Sequence, residues 1–262
     1  MVDDALYEPL GDGRYRATRL TQGPWHPDHQ HAGPPAALLA GAMENDHPRP
    51  DLTLTRFAME ILGPIPVGDV AVRSRVVRDG RRVQHVAAEL EAGGRTAVVA
   101  RGWRLRTGDT EDVASAPEPA PEPLPATSAV RPEGSGPFGY FDALDWRFAR
   151  GSFDETGPVV AWMRLRGPVL PGSNPTPMQR LVGVVDSASG VSNEVSFATH
   201  LFSNVDLSVH VTRPLAGEWV CLDAASRIGP AGAGVCRARL YDEKGDLGSS
   251  SAALFIERRP AG

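Results

Sequence analysis

Residues 178–193 read M-Q-R-L-V-G-V-V-D-S-A-S-G-V-S-N. Met178, Leu181, Val182 and Val185 recur at the three-to-four spacing of one helical face, and Asp186 falls at the edge of that stripe. Pro177 suits the first turn, where a missing N–H is not needed, and Gly190 suits a left-handed stop after the last turn. The helix thus carries a carboxylate from apolar surroundings into a Ser/Gly/Asn-rich turn. A carboxylate there is costly unless it is paired or used. On these residues alone, Asp186 either hydrogen-bonds the turn that follows it or takes part in chemistry.

A similar run occurs earlier. Residues 34–44, P-P-A-A-L-L-A-G-A-M-E, form a helix opened by proline and apolar almost all round, which must be covered on nearly every side. A short strand is expected before it at 14–20 and four more after it at 52–61, 70–77, 83–90 and 96–105. Val70, Val72 and Val76 alternate with Arg73 and Arg75, the pattern of a half-wetted sheet. Gly63-Pro64, Asp79-Gly80 and Gly93-Gly94 mark the turns between them. Antiparallel hairpins are the economical connection.

The second half repeats the plan. Strands are expected at 146–153 and 159–166, then the helix from Met178, then strands at 204–211, 219–226, 234–241 and 249–257. Pro64 aligns with Pro214, and A-E-L-E with A-R-L-Y, at an offset of about 150 residues. A helix apolar on all faces, followed by a four-stranded meander, implies a curved antiparallel sheet wrapped around that helix. The expected class is α+β, a tandem (double) hotdog. Its units are 1–106 and 138–262, joined by a Pro/Ala/Glu-rich linker at 107–137 that cannot bury a core.

The 262 residues, 41% hydrophobic with 28 Gly and 24 Pro, describe a turn-rich globular chain. A formal charge of −5 with dispersed arginines argues against nucleic acid or an anionic membrane as partner. No apolar run is long enough to span a bilayer, and residues 1–4 are acidic where a secretory signal is basic, so the expected location is cytoplasmic. Cys221 and Cys236 show no ligand spacing and read as buried, reduced thiols.

Common catalytic signatures are absent: there is no G-x-S-x-G, P-loop or H-E-x-x-H. Gly134, Gly136 and Gly139 match G-x-G-x-x-G without the flanking strand and helix that a dinucleotide site needs. His26, His29 and His31 cluster in W-H-P-D-H-Q-H, which reads as a solvated loop before it reads as a metal site, and no cofactor is expected. His31 stands directly before Ala32-Gly33 and the proline-opened helix. Since Pro34 and Pro35 have no N–H, only Ala32 and Gly33 can offer backbone donors to an oxyanion there.

The tandem plan, H-A-G-P-P-A-A-L-L, D-S-A-S-G and N-V-D-L-S-V-H-V-T-R-P together resemble the acyl-CoA thioesterase II family of double-hotdog thioesterases, over nearly the whole chain outside the linker. The sharpest piece is D-x-S-x-x-x-x-R-P, from Asp206 to Pro214. The resemblance implies hydrolysis of acyl thioesters, delivered by CoA or a carrier protein, in lipid metabolism, by a homo-oligomer of double hotdogs. It places the water-activating carboxylate on Asp186, a water-positioning polar group on Asn204, and a glutamine position on Ala253. Oxyanion and substrate contacts fall on Gly33, Ala32 and His31. Ala253 lacks the amide, with Ser250 or Ser251 as substitutes if the register slips, and its loss motivates an alternative: a non-hydrolytic protein that binds acyl thioesters or another hydrophobic small molecule. A hydratase requires a paired Asp/His acid-base set at one strand-helix junction, and the sequence offers no convincing one.

Overall fold

The computed structural model describes residues 5–130 and 138–259. In chain order the elements are β1 (Tyr7–Gly11), β2 (Arg14–Ala17), α1 (Gly33–Asn45), β3 (Leu52–Ile61), β4 (Asp69–Asp79), β5 (Val83–Ala92), β6 (Arg95–Arg106), α2 (Gly139–Asp142), β7 (Leu144–Arg150), β8 (Val159–Leu165), α3 (Pro177–Val185), α4 (Ala188–Val191), β9 (His200–Asn204), β10 (Asp206–Val211), β11 (Val220–Ile228), β12 (Ala233–Asp242) and β13 (Gly245–Arg258). The sheet runs β1-β2-β4-β5-β6-β3-β10-β13-β12-β11-β8-β7, with β9 on β13, and every pairing in it is antiparallel.

That order reads the same from either end, and the register repeats with it. Ala58 pairs with Ser208 at the join between β3 and β10, exactly 150 residues apart, while Phe57–Val209 and Met59–Leu207 exchange roles on either side. Val76–Val86 is repeated by Ser226–Cys236, Val86–Gly102 by Cys236–Ala252, and Leu54–Arg104 by Asn204–Leu254, each at an offset of 150. A pseudo-twofold axis therefore passes through the Ala58–Ser208 pair.

The two helices lie side by side against this sheet, α1 on β3, β4 and β5 and α3 on β8 and β11. Ten of the thirteen residues of α1 are buried, as a helix apolar on all sides requires. Full burial of a side chain such as Leu39 or Met43 contributes about 1.5–3 kcal/mol. In α3 the sequence T-P-M-Q forms a capping box: Thr176 Oγ1 accepts from Gln179 N, and Gln179 Oε1 from Thr176 N. The helices touch through small residues. A Cβ at Gly41 would strike the Gln179 side chain, and one at Gly183 would meet Ala37 Cβ at 3.4 Å. Gly41 to Gly183 and Ala37 to Gln179 are both steps of 142 residues, so the helix contact repeats as well.

Some local expectations fail. The run from Met178 does not continue to a glycine stop, because α3 ends at Asp186 and α4 begins two residues later with Gly190 inside it, in an ordinary helical conformation. The strand expected at 204–211 breaks at Val205, whose N–H donates to Ala253 O while its carbonyl accepts from Ile61 N. Residues 108–130 carry no strand, but they are not free of the sheet: Trp162 Nε1 donates to Glu122 O, and Arg147 donates to Pro125 O. Gly134 and Gly136 lie outside the described residues. Gly139 begins α2 against the Arg19 carbonyl, an approach that excludes any Cβ.

Candidate active site

Asp186 caps the C-terminus of α3 and is 5% exposed. Asn204, the last residue of β9, donates from Nδ2 to Asp186 Oδ1 at 2.8 Å. His31, two residues before α1, places Nδ1 3.0 Å from Asp186 Oδ2. The fold thus gathers the expected carboxylate, amide and imidazole from residues up to 173 positions apart, and it forms the Asp–His pair that is invisible in the linear sequence.

His31 Nδ1 also lies 3.1 Å from Gly33 N. One ring nitrogen cannot both donate and accept. Gly33 N–H is the donor to Nδ1, while Asp186 Oδ2 approaches the same nitrogen to 3.0 Å; a tautomer with its proton on Nδ1 would exchange the Gly33 hydrogen bond for one to the carboxylate. The Gly33 N–H therefore points at His31 Nδ1, at the mouth of α1. Ala32 is buried, and its carbonyl accepts the first helical bond from Ala36 N.

Tyr140 was not singled out by sequence reasoning and holds the site from behind. Its ring stacks on His31 with centroids 3.8 Å apart and an interplanar angle of 8°. Its hydroxyl donates to Gly183 O at 2.7 Å, which leaves it to accept from Ser187 Oγ at 2.8 Å. Burial pushes this hydroxyl far above its usual range, and the nearby Asp186 charge adds to the shift against the Ser187 hydrogen bond, so Tyr140 stays protonated. Gly33 is required by the same packing, because a Cβ there would lie 2.6 Å from Gly183 O and 2.9 Å from the Tyr140 hydroxyl. The available signal was Gly139-Tyr140-Phe141, an aromatic run closing a Pro-rich segment.

The glutamine position needs correction. Ala253 faces outward, and its N–H donates to Asp206 Oδ1 at 2.6 Å. Alternate residues of β13 face the core, and the one paired with Asn204 is Leu254, which is 4% exposed. Ser251 is exposed, and Ser250 faces inward opposite Val209, four residues away from Leu254. No amide from β13 therefore reaches Asp186. The D-x-S-x-x-x-x-R-P motif is structural: Asp206 secures the β9–β10 break, Ser208 sits on the pseudo-twofold, and Arg213 holds buried Asp242 through two nitrogens.

Other polar groups play no part in this constellation. Cys236 is buried near Ser192 and Ser226, and burial pushes its thiol up, as it pushes Cys221 up to about 12. His26 and His29 pack against each other with tilted rings in the preceding loop, their centroids 4.5 Å apart. Among the described residues no helix is long and apolar enough to cross a membrane.

The acyl-CoA thioesterase N-terminal domain matches residues 21–105 and the acyl-CoA thioesterase C-terminal domain matches residues 110–252. No curated protein matches the chain by sequence. Among solved structures, a hot dog fold protein from Alicyclobacillus acidocaldarius superposes with a TM-score of 0.75 at 15% identity, covering 97% of this chain and 96% of that one. The acyl-CoA thioesterase II of Mycobacterium marinum gives 0.66 at 17% identity, over 98% and 96%. The tesB protein of Mycobacterium avium subs. paratuberculosis gives 0.67 at 14%, over 97% and 96%. These likenesses establish the hotdog fold, and the two domain matches establish that the chain belongs to the acyl-CoA thioesterase family and is a thioester hydrolase.

Proposed function

We propose that Asp186 is the general base of this hydrolase and that its substrate is an acyl-CoA. The observation that carries the reading is the buried carboxylate held from both sides, by Asn204 at Oδ1 and His31 at Oδ2, beside the Gly33 N–H. Each carboxylate oxygen can accept more than one hydrogen bond, so both contacts leave lone pairs for a water. The water attacks the thioester carbonyl as its proton passes to Asp186, forming a C–O bond and a tetrahedral oxyanion at the mouth of α1, which the Gly33 N–H faces once Nδ1 of His31 carries a proton and donates to Asp186. Collapse breaks the C–S bond, releasing the acid and a thiolate that takes up a proton. Asn204 and His31 fix the carboxylate so that the lone pair facing the water is the reactive one. The reading takes 1–106 and 138–262 as two functional units, since His31 and Gly33 come from one and Asp186 and Asn204 from the other.

The test is a panel of acyl-CoA substrates, short, long, branched and aromatic, with free thiol as the readout. Turnover that is lost in Asp186→Asn supports the reading. Hydrolysis that survives that substitution overturns it.

A further inference from the structure

The pseudo-twofold that relates the two halves also gives Asp186 a partner. A step of 142 residues carries Glu44, at the end of α1, onto Asp186, and a step of 150 carries Leu54 onto Asn204 and Arg104 onto Leu254. At this second pole the carboxyl is kept: Thr176 Oγ1, at the N-terminus of α3, donates to Glu44 Oε2 at 2.6 Å. The amide is not kept. In its place the polar group has moved one strand across, to Arg104.

Here the two poles differ in a way that points to a ligand. A cleft of about 400 Å³ opens beside Glu44, with walls that include Leu52, Leu54, Met178, Leu181 and Leu215. Arg104 lines it while only 2% exposed. Its hydrogen bonds run to the Gln84 side-chain oxygen and to the Asp46 and His47 carbonyls, all neutral acceptors, and among the described residues its Nε has no partner. The Asp46 and Glu44 carboxylates are near enough to favour its charge, but its hydrogen bonds go to other groups. The other arginines of the cleft are committed, Arg49 to Asp51 and Arg213 to Asp242. A buried guanidinium held by dipoles alone is costly and is relieved by an anionic oxygen.

We propose that this cleft binds an aliphatic carboxylic acid, its carboxylate at the Arg104 and Glu44 end and its chain along the Leu54, Leu181 and Leu215 walls. Binding requires a small shift of the buried Arg104 side chain that presents its guanidinium edge to the head group. Burial raises the Glu44 pKa against the Thr176 hydrogen bond and the Arg104 charge, the direction in which an anion beside it is better tolerated. The ligand is of the class that thioester hydrolysis releases, yet the assignment rests on this cleft alone and does not require catalysis at Asp186.

Sodium decanoate titrated into the full chain by calorimetry at neutral pH tests it. Saturable binding is expected, weakened at least tenfold by Arg104→Gln and by Leu215→Trp, and unchanged by Arg73→Gln on the exposed face of β4. Because a substitution at a buried arginine can unfold the chain, a second readout uses the wild type: with methionine methyl groups labelled, decanoate should shift the Met178 signal, identified by its loss in Met178→Leu. An unmoved Met178 signal overturns the proposal, as does affinity unchanged in either folded variant. Thioester turnover is not read in either measurement, so failure of the Asp186 mechanism and failure of this site are separately visible.

Discussion

His31 Nδ1 stands 3.0 Å from Asp186 Oδ2, a contact between the start of the first buried helix and the end of the second. Neither half contains the whole site. The carboxylate is positioned by one unit and oriented by both, because the antiparallel pairing of β3 with β10 brings the start of α1 to the end of α3.

Asp186→Asn preserves shape but cannot take a proton. Turnover on the preferred acyl-CoA is expected to fall by roughly 10²–10⁴, with melting nearly unchanged. Steady-state rates beside a thermal melt decide this, and near-normal turnover would return Asp186 to a purely structural role.

Tyr140→Phe removes the donor to Gly183 O and the acceptor for Ser187 in a fully buried place. The expected cost is about 1–3 kcal/mol of stability, since buried polar groups are left unsatisfied. Denaturant unfolding measures it. A stability loss without any change in the pH profile of turnover would confine Tyr140 to support.

Ala253→Gln should leave turnover unchanged, because the side chain at 253 points away from Asp186. Leu254→Gln is the informative change. It puts an amide on the same face as Asn204, directly across the strand pair, at the expense of a buried leucine. A gain in rate of two- to tenfold corresponds to one modest hydrogen bond of about 0.5–1.5 kcal/mol. If Ala253→Gln raises activity and Leu254→Gln does not, the register described for β13 is wrong.

Buried Asp242 and half-buried Glu44 give opposite dependences of stability on pH. Burial alone would raise Asp242, but the Arg213 guanidinium and the Ala216 and Lys244 N–H groups outweigh it and hold the carboxyl below its usual range. Its contribution is therefore present above the unfolded value of about 3.9 and is lost as pH falls through the lower folded one. For Glu44 the folded pKa is raised, chiefly by burial. The unfolded chain then loses its proton first, and stability declines as pH rises from about 4.3 to the folded value. Melting temperatures across pH 3–8 should show Asp242→Asn flattening the acid limb and Glu44→Gln removing the decline above it; the reverse assignment of limbs would refute both.

The sequence by itself determined the units of this protein. Apolarity on every side of 34–44 forces a covering sheet, alternation along β4 settles which face is wet, and Pro177 marks the first turn of α3. Repetition at an offset of about 150 points to two like halves, because similar sequences fold into similar arrangements. These are local or periodic properties, written in consecutive residues. What only the tertiary structure decided is which polar atoms meet. Whether Ala253 or Leu254 faces Asp186 turns on the break at Val205, where one unpaired residue offsets the strand and a single-residue offset exchanges the two faces of a sheet. Tyr140 reaches Gly183 and Ser187 across 43 and 47 residues, and Thr176 reaches Glu44 across 132, distances over which no pattern in the chain carries the information. Hydrogen bonds form between atoms a few ångströms apart, and that proximity is a property of the packed helices and sheet, not of the order of residues.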